Sequence, residues 1–281
     1  MSRVLLPQDL DQLWQMLAEH PGAALYAGGT DLLVRRRRGL VRADTLVCLE
    51  RVQELKAIER RQGEILLGAG ATCAELLEHP LVREELSVLA RGLRELGSPP
   101  VRHMATLGGN LVTASPAGDT IPPLMVLGAR VELRSAAGSR QMPLKQFITG
   151  PGRAALEPGE ILFRVRVPAG QDWTLQHFEK VGTRKALAIS IASLAAVIRL
   201  DDAGRVQKAR FAWGSVAPTV LASPELDAML QGRPLNHDSL AELGRAAARL
   251  ADPISDQRAS RDFRLALVAN LPQRLSPQPD R

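Results

Sequence analysis

Two glycine-rich segments constrain this chain more than anything else in it. They are Ala27-Gly28-Gly29-Thr30-Asp31 and Thr106-Leu107-Gly108-Gly109-Asn110, the second running on into Ser115-Pro116-Ala117-Gly118-Asp119. Glycine has no Cβ, so it reaches positive φ cheaply and lets successive N–H groups point into one concavity suited to phosphate oxygens. Thr30 and Thr106 add hydroxyl donors, and Asn110 an amide donor. A carboxylate beside a diphosphate would be repelled, so Asp119 is expected to accept hydrogen bonds from a ribose diol or an adenine amine. That division of labour predicts a dinucleotide rather than a bare phosphate. One Gly-Gly pair alone is equally what an ordinary tight turn uses, for the same dihedral reason. The pointer to a nucleotide is the two together, with the Asn and the Ser-Pro-x-Gly-Asp tail.

Composition narrows the field. The 281 residues suffice for two domains with sizeable cores, and with 45% hydrophobic but only 3% aromatic residues those cores must be built of Leu, Val, Ile and Ala. No apolar run approaches the ~20 residues that cross a bilayer, and the start MSRVLLPQDLDQ lacks a signal peptide's apolar stretch, so a soluble cytoplasmic protein is expected. Cys48 and Cys73 form neither a metal pair nor a disulfide framework, and Cys48 in TLVCLE reads as a buried thiol. An iron–sulfur cluster needs about four thiolate or imidazole ligands, which this chain does not supply. His20, His79, His103, His177 and His237 are scattered without ligand spacing and read as structural or surface residues; no metal site and no Ser–His–Asp arrangement is expected. The net charge of +6 comes from 36 basic residues, overwhelmingly arginine, against 30 acidic ones, with the densest run at Arg35 to Arg38. Nucleic-acid binding is not expected, because aromatics to stack bases, zinc spacing and a recognition helix are all missing.

Periodicity predicts a helix over 9–19, short buried strands at AALYA and TLVCLE flanking the first glycine loop, and hairpins at IERRQGEILLGAG and RVELRSAAGSRQMPL. The stretch 71–97 reads as helical with a break at Pro80, and a helix is expected after Asp119 at IPPLMVLGA. The second glycine segment is read as a loop. This gives an α+β arrangement of two small subdomains, their boundary near 52–62, with the nucleotide between them. The chain divides near Pro168 to Trp173. Beyond it, WTLQHFEKVG is strand material, and SIASLAAVIRL and VQKARFAWGSVAP form a hairpin across Asp201-Asp202-Ala203-Gly204. Helices follow at PELDAML, Asp238 to Leu250 and Arg258 to about Leu271, and SPQPDR is a frayed tail.

The string TLGGNLVTASPAGD at Thr106 to Asp119 resembles the signature of the FAD-binding medium subunit of the molybdenum hydroxylases, the xanthine dehydrogenase and carbon monoxide dehydrogenase family. YAGGTDLL at Tyr26 to Leu33 resembles that family's other flavin loop. The likeness continues through GEILFRVRVP, HFEKVGTRKALAISIASLA and ADPISDQRASRDFRLALVANLPQRL, covering nearly the whole chain in the family's order. The resemblance implies an FAD-binding domain over 1–170, made of two α/β subdomains of the PCMH and vanillyl-alcohol-oxidase-like kind. A small C-terminal domain of antiparallel sheet backed by helices would occupy 171–281.

It also implies a site. Leu25, Tyr26, Ala27, Gly28, Gly29, Thr30, Asp31 and Leu32 would form the diphosphate cradle together with Thr106 and the Gly108-Gly109 backbone, with Asn110 and Ser115 nearby. Asp119 would hold the adenosine ribose, Leu162 would line the pocket, and Lys180 would stand near the flavin, where a cation stabilises charge on the reduced ring. Leu96 stands where relatives place an aromatic ring. The Arg35 to Arg38 run would be a solvated face, an interface with a partner subunit, or a neighbour of the diphosphate. The implied activity is electron relay. A molybdopterin-containing large subunit oxidises the substrate, 2Fe–2S clusters on a small subunit carry the electrons, and FAD delivers them outward, in a heterotrimer or its dimer. Relatives that reduce NAD carry acidic residues in the loop corresponding to Val181 to Ala188. Arg184-Lys185-Ala186-Leu187-Ala188 has none, which argues against NAD as the acceptor and leaves another flavin, a quinone, dioxygen or a soluble carrier open. A self-sufficient flavoenzyme and a scaffold subunit without cofactor are the competing readings.

Overall fold

The computed structural model describes residues 3–184 and 187–276. The chain forms two compact units, the first comprising Met1–Leu81, Ser98–Ala114 and Ala129–Ala169, the second Val82–Gly97, Ser115–Gly128 and Gly170–Arg281.

The chain begins with β1 (Arg3–Leu5), α1 (Leu10–Glu19), β2 (Ala24–Tyr26), α2 (Leu32–Arg37) and β3 (Thr45–Cys48). The three strands pair in parallel in the order β1-β3-β2, with Tyr26 level with Cys48. Asp9 starts α1 by accepting a hydrogen bond from the Gln12 N–H, and the buried Leu13 joins Val47, Val52, Leu55, Ile161 and Phe163 in the local core. Next come β4 (Ile58–Arg61), β5 (Glu64–Gly68), α3 (Cys73–Glu78), α4 (Pro80–Glu85), α5 (Ser87–Glu95), α6 (Pro99–Met104), α7 (Leu107–Thr113) and α8 (Ile121–Val126). The first unit closes with β6 (Arg130–Ser135), β7 (Gly138–Pro143), α9 (Leu144–Phe147), β8 (Ile148–Gly150), β9 (Arg153–Ala154) and β10 (Ile161–Pro168). An antiparallel sheet runs β4-β5-β10-β6-β7. A bulge between Leu162 and Arg164 breaks the alternation of β10, so that Ile161, Leu162 and Phe163 are all buried.

In the second unit β11 (Leu175–Val181), β12 (Ala192–Leu200) and β13 (Val206–Gly214) form an antiparallel sheet, followed by α10 (Pro224–Ala228), α11 (His237–Leu250) and α12 (Arg261–Asn270). Ala192, Leu194, Ala196 and Ile198 alternate along β12 and share one core with Leu240, Leu243 and Ala247 of α11. A Cβ on Gly244 would lie 2.0 Å from the Ala269 carbonyl oxygen, so only glycine lets α11 and α12 approach this closely.

Both hairpins of the first unit, the hairpin across 201–204 and the helix after Asp119 form as expected. The helical stretch 71–97 breaks twice, at His79–Pro80 and at Leu86. The last helix starts at Arg261 rather than Arg258, because Ser260 caps it by accepting from the Phe263 N–H. The glycine segment read as a loop is the first turn of α7, for Thr106 caps it by accepting from the Gly109 N–H. Cys48 and Cys73 are buried free thiols, and burial pushes the Cys73 thiol up to about 12. No cluster that could hold a metal occurs among the described residues, nor any helix long and apolar enough to cross a membrane. The tail segment 277–281 lies outside them.

Candidate cofactor site

The site in the first unit is built where β2 ends. Leu25 to Leu32 line one groove together with Arg35 of α2 and with Thr106, Gly109, Asn110 and Thr113. The backbone N–H groups of Gly28, Gly29, Thr30, Asp31 and Leu32 find no acceptor among the described residues, although Gly29 and Asp31 use their carbonyls to accept from Leu33 and Arg35. Gly28 is fixed by packing, since a Cβ there would lie 1.5 Å from the Met104 carbonyl oxygen. Gly29 is fixed by its backbone, at φ +68.

The second pair behaves differently. The Leu107 N–H donates to the Ala71 carbonyl (3.0 Å), the Gly108 N–H to the Ala69 carbonyl (2.8 Å) and the Gly109 N–H to Thr106 Oγ1 (3.1 Å), while the Asn110 N–H bonds the Thr106 carbonyl. The expected concavity of free N–H donors is therefore confined to the first segment. Those of the second are consumed by the cap and by the close run of residues 69–71. A Cβ on Gly108 would strike Ala69 at 2.7 Å, whereas one on Gly109 meets only Thr106 Oγ1, at 3.1 Å. Above Gly109 the protein leaves open space.

An apolar pocket shares Leu25, Tyr26, Ala27, Thr106, Gly109 and Val112 with the groove and adds Gly108 and Leu162, with Leu49, Leu55, Ala69, Gly70, Leu156 and Ile161. Its carboxylate, Glu160, is held bidentately by Arg140 (2.7 and 2.8 Å), which lowers its pKa. The Tyr26 phenol is raised to about 12, chiefly by burial, and so stays neutral. Sequence reasoning missed Val112, which becomes visible only once α7 is known to be a helix, and the Ala69–Gly70 corner, whose signal was the Gly-Ala-Gly after β5.

The remaining expected residues lie in the second unit. Ser115 Oγ accepts from the Ala117 N–H (3.2 Å) and shapes the turn before Asp119. Leu96 is buried just after α5. Lys180 Nζ donates to Asp119 Oδ2 at 2.6 Å and to the Glu95 carbonyl at 3.0 Å, both side chains being less than a tenth exposed. Asp119 Oδ1 is buried with no partner among the described residues. Burial raises the Asp119 carboxyl from 3.8 to about 6, against the opposing pull of Lys180. In the loop after β11, Arg184 donates to the Leu187 carbonyl, and Lys185 and Ala186 lie outside the described residues.

A family model described as the FAD binding domain in molybdopterin dehydrogenase matches residues 1–170. The chain belongs to this FAD-binding family. A second model, the CO dehydrogenase flavoprotein C-terminal domain, matches residues 177–277. The chain is 31% identical over 263 residues to a xanthine dehydrogenase FAD-binding subunit of Escherichia coli, covering 92% of this chain and 89% of that one. It is 31% identical over 256 residues to the nicotinate dehydrogenase FAD-subunit of Eubacterium barkeri, covering 85% and 86%. Among solved structures, quinoline 2-oxidoreductase from Pseudomonas putida 86 superposes with a TM-score of 0.93 at 29% identity, covering 98% of this chain and 95% of that one. The residues present fit the family's cofactor. A row of five N–H donors without acceptors suits a diphosphate, and the bare surface of Gly109 leaves room for it.

Proposed function

We propose that this chain is the FAD-carrying electron-transfer subunit of a cytoplasmic, multi-subunit molybdenum hydroxylase. It takes electrons from 2Fe–2S clusters on a small partner subunit and passes them to an external acceptor, while a molybdopterin-containing large subunit carries the substrate. The observation that supports this reading best is the groove in which the N–H groups of Gly28 to Leu32 have no acceptor while Gly109 offers no side chain. FAD, when bound, supplies the exchange between one-electron and two-electron chemistry.

The chain's own residues would do the holding. The first glycine segment would donate to the diphosphate, with Thr30 and Asn110 beside it. Thr106, whose oxygen already accepts from Gly109, keeps its hydroxyl proton to donate. Leu162, Gly108 and their apolar neighbours would exclude water. Because Asp119 and Lys180 share one short hydrogen bond, we assign them to one polar group of FAD rather than to its two ends, Asp119 Oδ1 accepting and the third Lys180 N–H donating. That revises the expectation of a ribose contact for Asp119 alone. Leu96 and Ser115 would support that part of the site. We further propose that FAD binding belongs to residues 1–170, with 171–281 as a separate C-terminal domain.

The test is direct. Expressed with its partner chains, the protein is expected to co-purify with a large and a small subunit and to show flavin absorbance that bleaches when the complex is given reductant. A colourless chain that takes up no added FAD would overturn the reading.

A further inference from the structure

The run Arg35-Arg36-Arg37-Arg38 is uniform in sequence and divided in the structure. Arg35 alone of the four lines the groove of the first glycine segment. Arg36 and Arg37 line a separate surface hollow with Leu33 and Val34. Asp31, one helical turn before Arg35, lines the same groove, its Oδ2 accepting from Thr113 Oγ1 at 3.2 Å and lying 3.7 Å from Arg35 Nη1. Without Arg35, the groove's own lining would carry a carboxylate and no cation, a poor receptor for a diphosphate that brings further negative charge. With Arg35 the lining is neutral.

The contact with Asp31 does not explain the arginine. At 3.7 Å, between side chains each 47% exposed, it is a surface pair of little worth to the fold. It leaves the guanidinium's planar fork of N–H donors available to a second anion. We propose that Arg35 is a diphosphate ligand of FAD, screening Asp31 and completing the ring of backbone donors on the first glycine segment. The inference rests on the FAD reading above and concerns a residue that the expected cradle, Leu25 to Leu32, left out.

The experiment is a fluorescence titration of the full chain, stripped of flavin, with FAD and in parallel with riboflavin, which lacks phosphate, at low and moderate salt. Arg35→Ala is expected to weaken FAD binding about tenfold, the scale of losing one charge-assisted hydrogen bond, and to flatten its salt dependence. It should leave riboflavin binding and the thermal midpoint unchanged. Arg37→Ala, which removes the same charge outside the groove, should change FAD affinity less than about twofold. Asp31→Asn added to Arg35→Ala should recover part of the loss. Equal losses for Arg35→Ala and Arg37→Ala, equal losses for FAD and riboflavin, or no loss at all would each overturn the inference. Failure of the unaltered chain to bind FAD would instead overturn the proposed function.

Discussion

The two Gly-Gly pairs look alike as sequence, yet their glycines are there for three different reasons. Gly28 is glycine because a carbonyl oxygen occupies the place of its Cβ, and Gly29 because its φ is positive. Gly108 lies against Ala69. Gly109 has neither excuse: it sits in helical backbone, with nothing but its own cap oxygen nearby. The donors divide as sharply, free in the first pair and spent in the second. Glycines demanded by the fold and a glycine that clears space for a ligand can therefore stand side by side, and only the surroundings of the missing Cβ tell them apart.

The largest expected effect breaks the fold side of this contrast. Gly28→Ala forces a methyl into the Met104 carbonyl and is expected to cost about 3 kcal/mol or more, read from urea unfolding of the flavin-free chain. A loss below about 1 kcal/mol would mean that the loop yields easily and that Gly28 is not structural. Gly109→Leu tests the opposite side. Leucine is a better helix former than glycine, so stability should change by less than about 1 kcal/mol while FAD affinity falls about a hundredfold or more. Retained affinity would remove Gly109 from the site. A third effect concerns the tail of the second segment. The Asp119 carboxyl rises from 3.8 to about 6 on folding, so between those values the folded chain holds the extra proton and its stability falls as pH rises. Wild type should thus lose stability relative to Asp119→Asn between pH of about 4 and about 6.5. Parallel pH profiles would show that the carboxylate is better solvated than its burial implies.

How much of this the sequence disclosed follows the range of the interactions. Strands with local alternation and hairpins with glycine turns, such as Gln62-Gly63, were readable, and so was the convergence of the two glycine segments on one groove. α7 was not, because two glycines lower helix propensity and the Thr106 cap that outweighs them is a matter of geometry. Equally hidden was the pairing of Asp119 with Lys180, 61 residues apart, which joins two residues that reasoning by role had separated. The different placing of Arg35 from Arg36 and Arg37 follows from the helical turn of α2, and that helix carries no apolar period to reveal it, none of its residues being buried.

The central claim is that the diphosphate of FAD lies on the first glycine segment and is admitted by the absence of a side chain at Gly109. A crystal structure of the FAD-loaded chain tests it most directly. The account predicts diphosphate oxygens within hydrogen-bond reach of the N–H groups of Gly28 to Leu32, in van der Waals contact with Gly109. Density placing the diphosphate elsewhere, with those five donors turned to solvent, would contradict it.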